Sequence, residues 1–510
     1  MTVKIILLVA FFAVMVAVGI MCRRRATDVN GFVLGGRTVG PWLTAFAYGT
    51  SYFSAVIFVG YAGQFGWRYG IASTWIGLGN AFIGSLLAWG ILGRRTRIMT
   101  QHFSAATMPD FFGKRFESGA LKVFASMIVF VFLVPYTASL YNGLSRLFGM
   151  AFNIDYVVCI IIMAVLTGVY VIAGGYMATA INDFIQGIIM LFGIVAVVLA
   201  VLKSQGGLQQ ALAGLAAVRD ESVSAMPGAF NSFLGPDPFN LLCVVLLTSL
   251  GTWGLPQMVQ KFYAIKSEAA IKKGTVISTV FAIVVAGGCY FLGGFGRLFN
   301  INVAAEGYDA IIPEMISYLP QALIAVVVIL VLSASMSTLS SLVIASSSTL
   351  TIDFLKGNII KNMSEKKQLL TMRAFIVVFI AISAVIAVIQ YRNNVTFIAQ
   401  LMGVSWGALA GAFLAPFLYS LYWKKVSKAA CWVNFIFGAG IMVLNMFFRS
   451  SFPTVLQSPI NCGTFAMLAG MVIVPIVSFI SPKPDKARVE EAFSKYDTKV
   501  EVSQKRALTD

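Results

Sequence analysis

Ser333-Ala334-Ser335-Met336-Ser337-Thr338-Leu339-Ser340-Ser341 sets six hydroxyl side chains inside an apolar run that extends from Ala322 to Ile352. Hydrocarbon offers no water to such oxygens. Each must bond back to its own helix, line a cavity, or coordinate a cation. The last of these would make the segment part of a transport pathway.

The surroundings of that stretch settle the class of protein. Of 510 residues, 59% are hydrophobic and 11% charged, against roughly a quarter charged in soluble chains. The expectation is an all-α polytopic membrane protein with about thirteen transmembrane helices, near 3–22, 41–66, 72–93, 119–147, 153–174, 181–202, 236–260, 274–298, 320–352, 368–391, 395–422, 429–448 and 463–481. Basic residues gather in alternate loops: Arg23–Arg25 and Arg37, then Arg94, Arg95, Arg97, Lys114 and Arg115, then Lys261, Lys266, Lys272 and Lys273. Further along come Lys356, Lys361, Lys366 and Lys367, then Lys424, Lys425 and Lys428, then a tail from Lys483. By the positive-inside rule the N-terminus is outside the cell membrane and the C-terminus cytoplasmic. Loop charge beside anionic lipid accounts for the net charge of +17, so the partner implied is the lipid bilayer rather than nucleic acid. Arg23–Arg25 follows the first apolar core instead of preceding it, which reads as an uncleaved helix and not a signal peptide. Six scattered cysteines without CxxC spacing read as small hydrophobes.

Two spans are interrupted in corresponding places. Gly49-Thr50-Ser51-Tyr52-Phe53-Ser54 divides the second, and Gly251-Thr252-Trp253-Gly254-Leu255-Pro256 the seventh. Unwound backbone at mid-membrane is tolerable only where it lines a site, and paired breaks point to a transporter built from inverted repeats. The expected organisation is an extra helix and loop over 1–40, a first repeat of five helices over 41–203 and an external loop over 204–235. A second repeat of five helices over 236–423, two further helices over 424–481 and a solvated cytoplasmic tail over 482–510 complete it.

Sodium is a hard cation that takes oxygen ligands from hydroxyls and from carbonyls freed where a helix unwinds. Ser333, Ser337 and Ser340 share a helix face, widened by Thr338 and Ser341. The carbonyl of Ala334 lies one turn before Ser337 and Thr338, and Thr50 and Phe53 at the first interruption can supply the rest. The competing reading is that each hydroxyl bonds its own i−4 carbonyl. Asp183, at the expected entry of the sixth span, reads either as an intramembrane carboxylate with a cation partner or as a helix N-cap.

In combination, five motifs resemble the sodium:solute symporter family over nearly the whole chain. They are Gly35-Gly36-Arg37, Gly174-Gly175 through Asp183 and Gln186, Pro256 with Lys261-Phe262, Met336 through Ser341 to Asp353, and Pro416 through Lys425. The resemblance implies a leucine-transporter-type five-plus-five fold, alternating access, and sodium as the co-transported ion. It implies a principal sodium site of the Thr50, Phe53 and Ala334 carbonyls with the Ser337 and Thr338 hydroxyls. A second sodium site is implied at Asp183, Ser337, Ser340 and Ser341.

The substrate positions follow the resemblance less closely. Val56 and Ile57 stand where sugar carriers have polar groups, and Tyr52 stands where proline carriers have an aspartate. A pocket of Tyr52, Phe53, Val56 and Trp253, with Gln400, suits a small, partly apolar solute such as an amino acid like proline or a monocarboxylate. A solute sensor on the same fold, a passive channel and a proton-coupled symporter are the rival classes. No obligatory protein partner is implied. His102, the single histidine, has no second metal ligand nearby in sequence, and no nucleophile-base pair or nucleotide loop suggests an enzyme. Asn362-Met-Ser and Asn394-Val-Thr match the glycosylation pattern only as short chance motifs do.

Overall fold

The structure is a computed structural model that describes residues 2–152, 154–356, 358–360, 362–393 and 398–497, except for the side chains of residues 2–5, 52, 146, 150 and 393. Asn394 and the last residues of the tail lie outside this set, as does the side chain of Tyr52. Isolated bridges are the only β-pairing among the described residues.

The helices that position the site are α1 (Thr2–Cys22), α2 (Pro41–Tyr52), α3 (56–69), α4 (74–102) and α5 (Met108–Arg115). They continue as α6 (Gly119–Phe152), α7 (Tyr156–Ser204), α8 (Pro238–Ser249), α9 (Pro256–Ala264) and α10 (Glu268–Leu298). The last are α11 (Gln321–Leu355), α12 (Glu365–Asn393), α13 (Ile398–Tyr422), α14 (Lys428–Phe447), α15 (Pro459–Ile480) and α16 (Lys486–Ser494). Starts carry ordinary capping chemistry. Asp155 accepts from the Val157 and Val158 amides, Asp237 from Asn240 beside Pro238 at the first helical position, and Ser427 from Ala430.

Thirteen crossings are not established as such. By length and composition ten helices among the described residues can cross a membrane, or eleven when α8 and α9, bent by 47°, form one span. Two of the ten, over Val56–His102 and Tyr156–Ser204, have 47 and 49 residues. At about 1.5 Å per residue each is roughly 70 Å long, more than twice a ~30 Å hydrocarbon core. Both turn at a glycine in backbone that other residues rarely adopt, Gly70 (φ 59°, ψ −139°) and Gly175 (φ 53°, ψ −149°). Gly175 also lies against the backbone of Phe32, where a side chain has no room.

Both predicted interruptions are present, and they have one geometry. Phe53 ends α2 at φ −83°, ψ 116°, and Leu255 separates α8 from α9 at φ −85°, ψ 118°. Around them pack helices with apolar outer faces: α7, for example, turns Ile188, Phe192, Val195 and Leu199 outward at helical spacing. Inside, small residues let backbones touch. A Cβ on Gly66 of α3 would run into the Gly293 carbonyl of α10, and one on Gly293 into the carbonyl of Ala62. The two helices that follow α13 clasp it in the same way, α14 at Gly438 against Gly411 and α15 at Gly463 against Gly407.

Several loop charges are not solvated. Arg37, Arg97, Arg115 and Lys261 are all buried. Arg37 donates to the carbonyls of Ala105 (2.6 Å), Tyr263 (3.2 Å) and Thr100 (3.3 Å), and Arg97 to that of Ile265 (2.7 Å). Val39 and Ile265 pair as a bridge. The chain entering the first broken helix is thus sealed to the chain leaving the second. The described part of the tail, up to Asp497, is not a solvated appendage either. Arg488 of α16 pairs with Glu117 and donates to the Lys114 carbonyl at 2.6 Å, and Arg95 stacks on the rings of Tyr422 and Tyr496 at 4.0 and 4.5 Å. Such guanidinium-aromatic contacts hold a charged segment without requiring it to be dehydrated completely.

Because the Gly293 contact is backbone on backbone, Gly293→Val should lower the thermal unfolding midpoint of the detergent-purified protein by several degrees, an overpacking cost of about 1–3 kcal/mol or more. Gly440→Ala, where a Cβ meets nothing within 4 Å, should leave the midpoint unchanged or raise it slightly.

Candidate functional site

The interruption after Tyr52 leaves peptide groups without helical partners, and α11, with Ser54 of the break itself, supplies them. The amide of Ala55 donates to Ser335 Oγ at 3.2 Å, and that of Val56 to Ser54 Oγ at 3.2 Å. On the carbonyl side, Ser337 Oγ lies 3.1 Å from the Thr50 oxygen and 3.0 Å from that of Ala334. Thr338 Oγ1 lies 3.1 Å from Thr50 O, 3.3 Å from Phe53 O and 3.1 Å from Ala334 O. Five oxygens from two helices therefore converge on one point, and all five residues are buried. The i−4 bond expected of an ordinary membrane threonine is present at Thr338, but it is shared with two carbonyls from across the helix interface.

That spacing is chemically informative. A cation held at about 2.3–2.6 Å by neighbouring oxygens sets adjacent ligands roughly 3.3–3.6 Å apart, so a small outward relaxation of these contacts suffices. Hydroxyls suit the task because each donates to a carbonyl and also carries lone pairs for a cation. The set contains no carboxylate, which suits a monovalent ion better than a divalent one.

The second group of predicted residues is arranged differently. Asp183 does not cap a helix. It lies within α7, eight residues beyond the Gly175 turn, and is 0% exposed. Neither of its carboxylate oxygens has a hydrogen-bond partner among the described residues. Ser340 donates to the Ser337 carbonyl at 2.9 Å. Ser341 contacts Ser51 Oγ at 2.9 Å and accepts from Lys261 Nζ at 2.9 Å. Sequence reasoning missed Lys261, Ser51 and Ser335 as site residues. Lys261 was counted among loop charges, and the available signal was its place five residues after Pro256, on the segment that follows the second interruption.

The predicted substrate residues are spread out. Val56 is fully buried at the start of α3. Trp253 is buried and its indole N–H donates to the Ile83 carbonyl of α4 at 3.0 Å, which fixes the ring against that helix. Gln400 lines a cavity of about 440 Å³ at the end of the bundle opposite the Arg37 seal, with Gln64, Phe65, Arg68, Tyr69 and Arg449. Val56 and Trp253 do not line that cavity. His102 ends α4, and no group of three His, Cys, Asp or Glu residues suited to a metal occurs among the described residues.

Residues 32–438 match the sodium:solute symporter family. Among curated relatives, the osmoregulated proline transporter OpuE of Bacillus subtilis is 28% identical over 497 residues, covering 96% of this chain and 97% of the relative. A sodium/proline symporter of Staphylococcus aureus is 27% identical over 490 residues, covering 94% and 92%. Among solved structures, a Na+-coupled sialic acid symporter superposes with a TM-score of 0.74 at 15% identity, over 95% of this chain and 99% of the other. The chain belongs to the sodium:solute symporter family, with the leucine-transporter-type fold. It is a membrane transporter that couples a small-molecule solute to sodium, and not an enzyme.

Ser335 has a checkable part in holding the first interruption open. Ser335→Ala leaves the buried Ala55 amide without its acceptor, at a cost of about 1–3 kcal/mol. Hydrogen-deuterium exchange of a peptide covering 50–58 should accelerate in this variant, with smaller changes around Gly254.

Proposed function

We propose that this symporter takes up proline or a closely similar amino acid, with the principal sodium held by the carbonyls of Thr50, Phe53 and Ala334 and the hydroxyls of Ser337 and Thr338. The convergence of these five oxygens at the first helix break carries the proposal. An ion there joins α2 to α11, and the solute meets the same break from its other side. Binding of either then favours the arrangement the other needs, which is the thermodynamic content of coupling. Proline as the solute is supported by the function of the two relatives that match along nearly the whole chain. It is also supported by the apolar and aromatic character of Val56 and Trp253, with Tyr52 one turn before Val56 in sequence. Gln400, with Arg68 and Arg449 nearby, serves as an entry contact for a zwitterion's carboxylate. The proposed orientation has the N-terminus outside and α16 in the cytoplasm, with the Gln400 cavity facing outward.

Proteoliposomes loaded for radiolabelled proline uptake test the reading. An inward sodium gradient should drive accumulation where a proton gradient alone does not. Ser337→Ala and Thr338→Ala should each raise the sodium concentration for half-maximal uptake by about tenfold or more, since a lost ligand of roughly 1.5 kcal/mol is tenfold in affinity. Unchanged sodium dependence in both variants overturns the site, and sodium-driven uptake of other solutes in place of proline overturns the substrate. The orientation is checked separately. A cysteine added after Asp510 should resist an impermeant maleimide in right-side-out vesicles, against a background of six native cysteines that are all buried.

A further inference from the structure

Lys261 lies on α9 and is 3% exposed. Its Nζ is 2.9 Å from Ser341 Oγ and 5.1 Å from the centroid of the Tyr176 ring. The hydroxyl geometry fixes who donates to whom. Ser51 Oγ gives its proton to the Ala47 carbonyl, so the 2.9 Å contact between the two serines is donated by Ser341. Ser341 is then left with lone pairs only, and the ammonium is what meets them. Asp183, buried with no hydrogen bond to either oxygen, lies two helical turns beyond Tyr176 on the same face of α7, the face that the ammonium meets through the Tyr176 ring. A buried carboxylate requires a cation, and the fold brings one on a side chain.

We propose that the Lys261 ammonium is a built-in cation at the Asp183, Ser340 and Ser341 group, so that this chain binds and carries one sodium per cycle and not two. A sodium ion placed on Ser341 would compete with the ammonium for the same lone pairs and repel it at a distance of a few ångströms. The ammonium differs from an ion in being tethered. It is attached to the helix that follows the second interruption, and its bond runs through Ser341 to Ser51, which adjoins Thr50 of the principal cage. Lys261 therefore links both broken helices to α11 at a place one residue from the transported ion. It acts by excluding a second ion and by positioning Ser51, and it touches no substrate.

This inference rests on the principal sodium site proposed above, and the two are separable by counting ions. Sodium-22 bound to the purified full-length protein is measured by scintillation proximity, alongside the sodium dependence of proline uptake. The wild type should bind one ion per chain with a hyperbolic dependence. Lys261→Met should bind two, with a Hill coefficient rising toward 2, and Lys261→Arg should bind one. Two ions on the wild type, or one on a folded Lys261→Met protein, overturns the inference. If Lys261→Met fails to fold, Asp183→Asn decides: a count staying at one supports the built-in cation, and a fall from two to one overturns it. Thr338→Ala reads the principal cage independently, because loss of the single wild-type ion depends on that cage and not on residue 261.

Discussion

A peptide group at mid-membrane must find its hydrogen-bond partner inside the protein, and the organisation of this molecule follows from where that requirement is hardest to meet. At Phe53 the chain leaves helical geometry, and the Ala55 amide and the Thr50 and Phe53 carbonyls lose their partners within the helix. Apolar neighbours would make such a break untenable, with each unmatched group costing several kcal/mol in hydrocarbon. The hydroxyls of Ser335, Ser337 and Thr338 make it tenable. The groups that stabilise the break are also the groups that can hold a cation. With sodium held as proposed, stability and ion binding draw on the same oxygens, and the dense hydroxyl run of α11 answers both needs.

The rest of the molecule holds that junction in register. Backbone contact at Gly66 and Gly293 fixes α3 against α10, and α14 and α15 grip α13 through Gly438 and Gly463. Opposite the Gln400 cavity, Arg37 satisfies three separate backbone carbonyls. A guanidinium suits that position because it is planar, permanently charged and able to donate in several directions at once. Beside it, Lys122 lies 2.8 Å from Asp110 and 3.5 Å from Asp353, so the end of α11 is tied to α5 and α6. One end of the pathway is closed by charge and the other is open to a polar cavity, an asymmetry that an alternating transporter must be able to reverse.

What was legible in the sequence was local or periodic. Glycines and a proline inside apolar runs mark both interruptions, and hydroxyls three and four residues apart mark the face that meets the first. Spacing along the two segments marks these positions as candidates, and it is the resemblance to the symporter family that singles out the five oxygens as a set. Contacts made by long side chains across the fold were not legible. Lys261 reads as loop charge because a basic residue near the end of a span ordinarily is one, and only the tilt of α9 after Leu255 brings it to Ser341. Asp183 reads either as an intramembrane carboxylate or as a helix cap because the Gly174-Gly175 pair suggests a gap between spans, whereas the chain turns at Gly175 and remains helical on both sides, which removes the cap. Arg37 and the described start of the tail read as solvated for the same reason: charge predicts solvation only where no array of carbonyls or aromatic rings waits to receive it.

The docking of α16 orders events during synthesis. Arg488 binds the Lys114 carbonyl across 374 residues of chain. At roughly 5–20 residues per second, ribosomal elongation separates the two by about 20–75 s. Throughout that interval the end of α5 that carries Lys114, with Glu117 just beyond it and Arg94 and Arg95 of α4, has no tail to cover it. The surface that a nascent chain presents here therefore differs from that of the finished transporter, and a chaperone or protease meeting it early would recognise a face that the completed protein no longer presents.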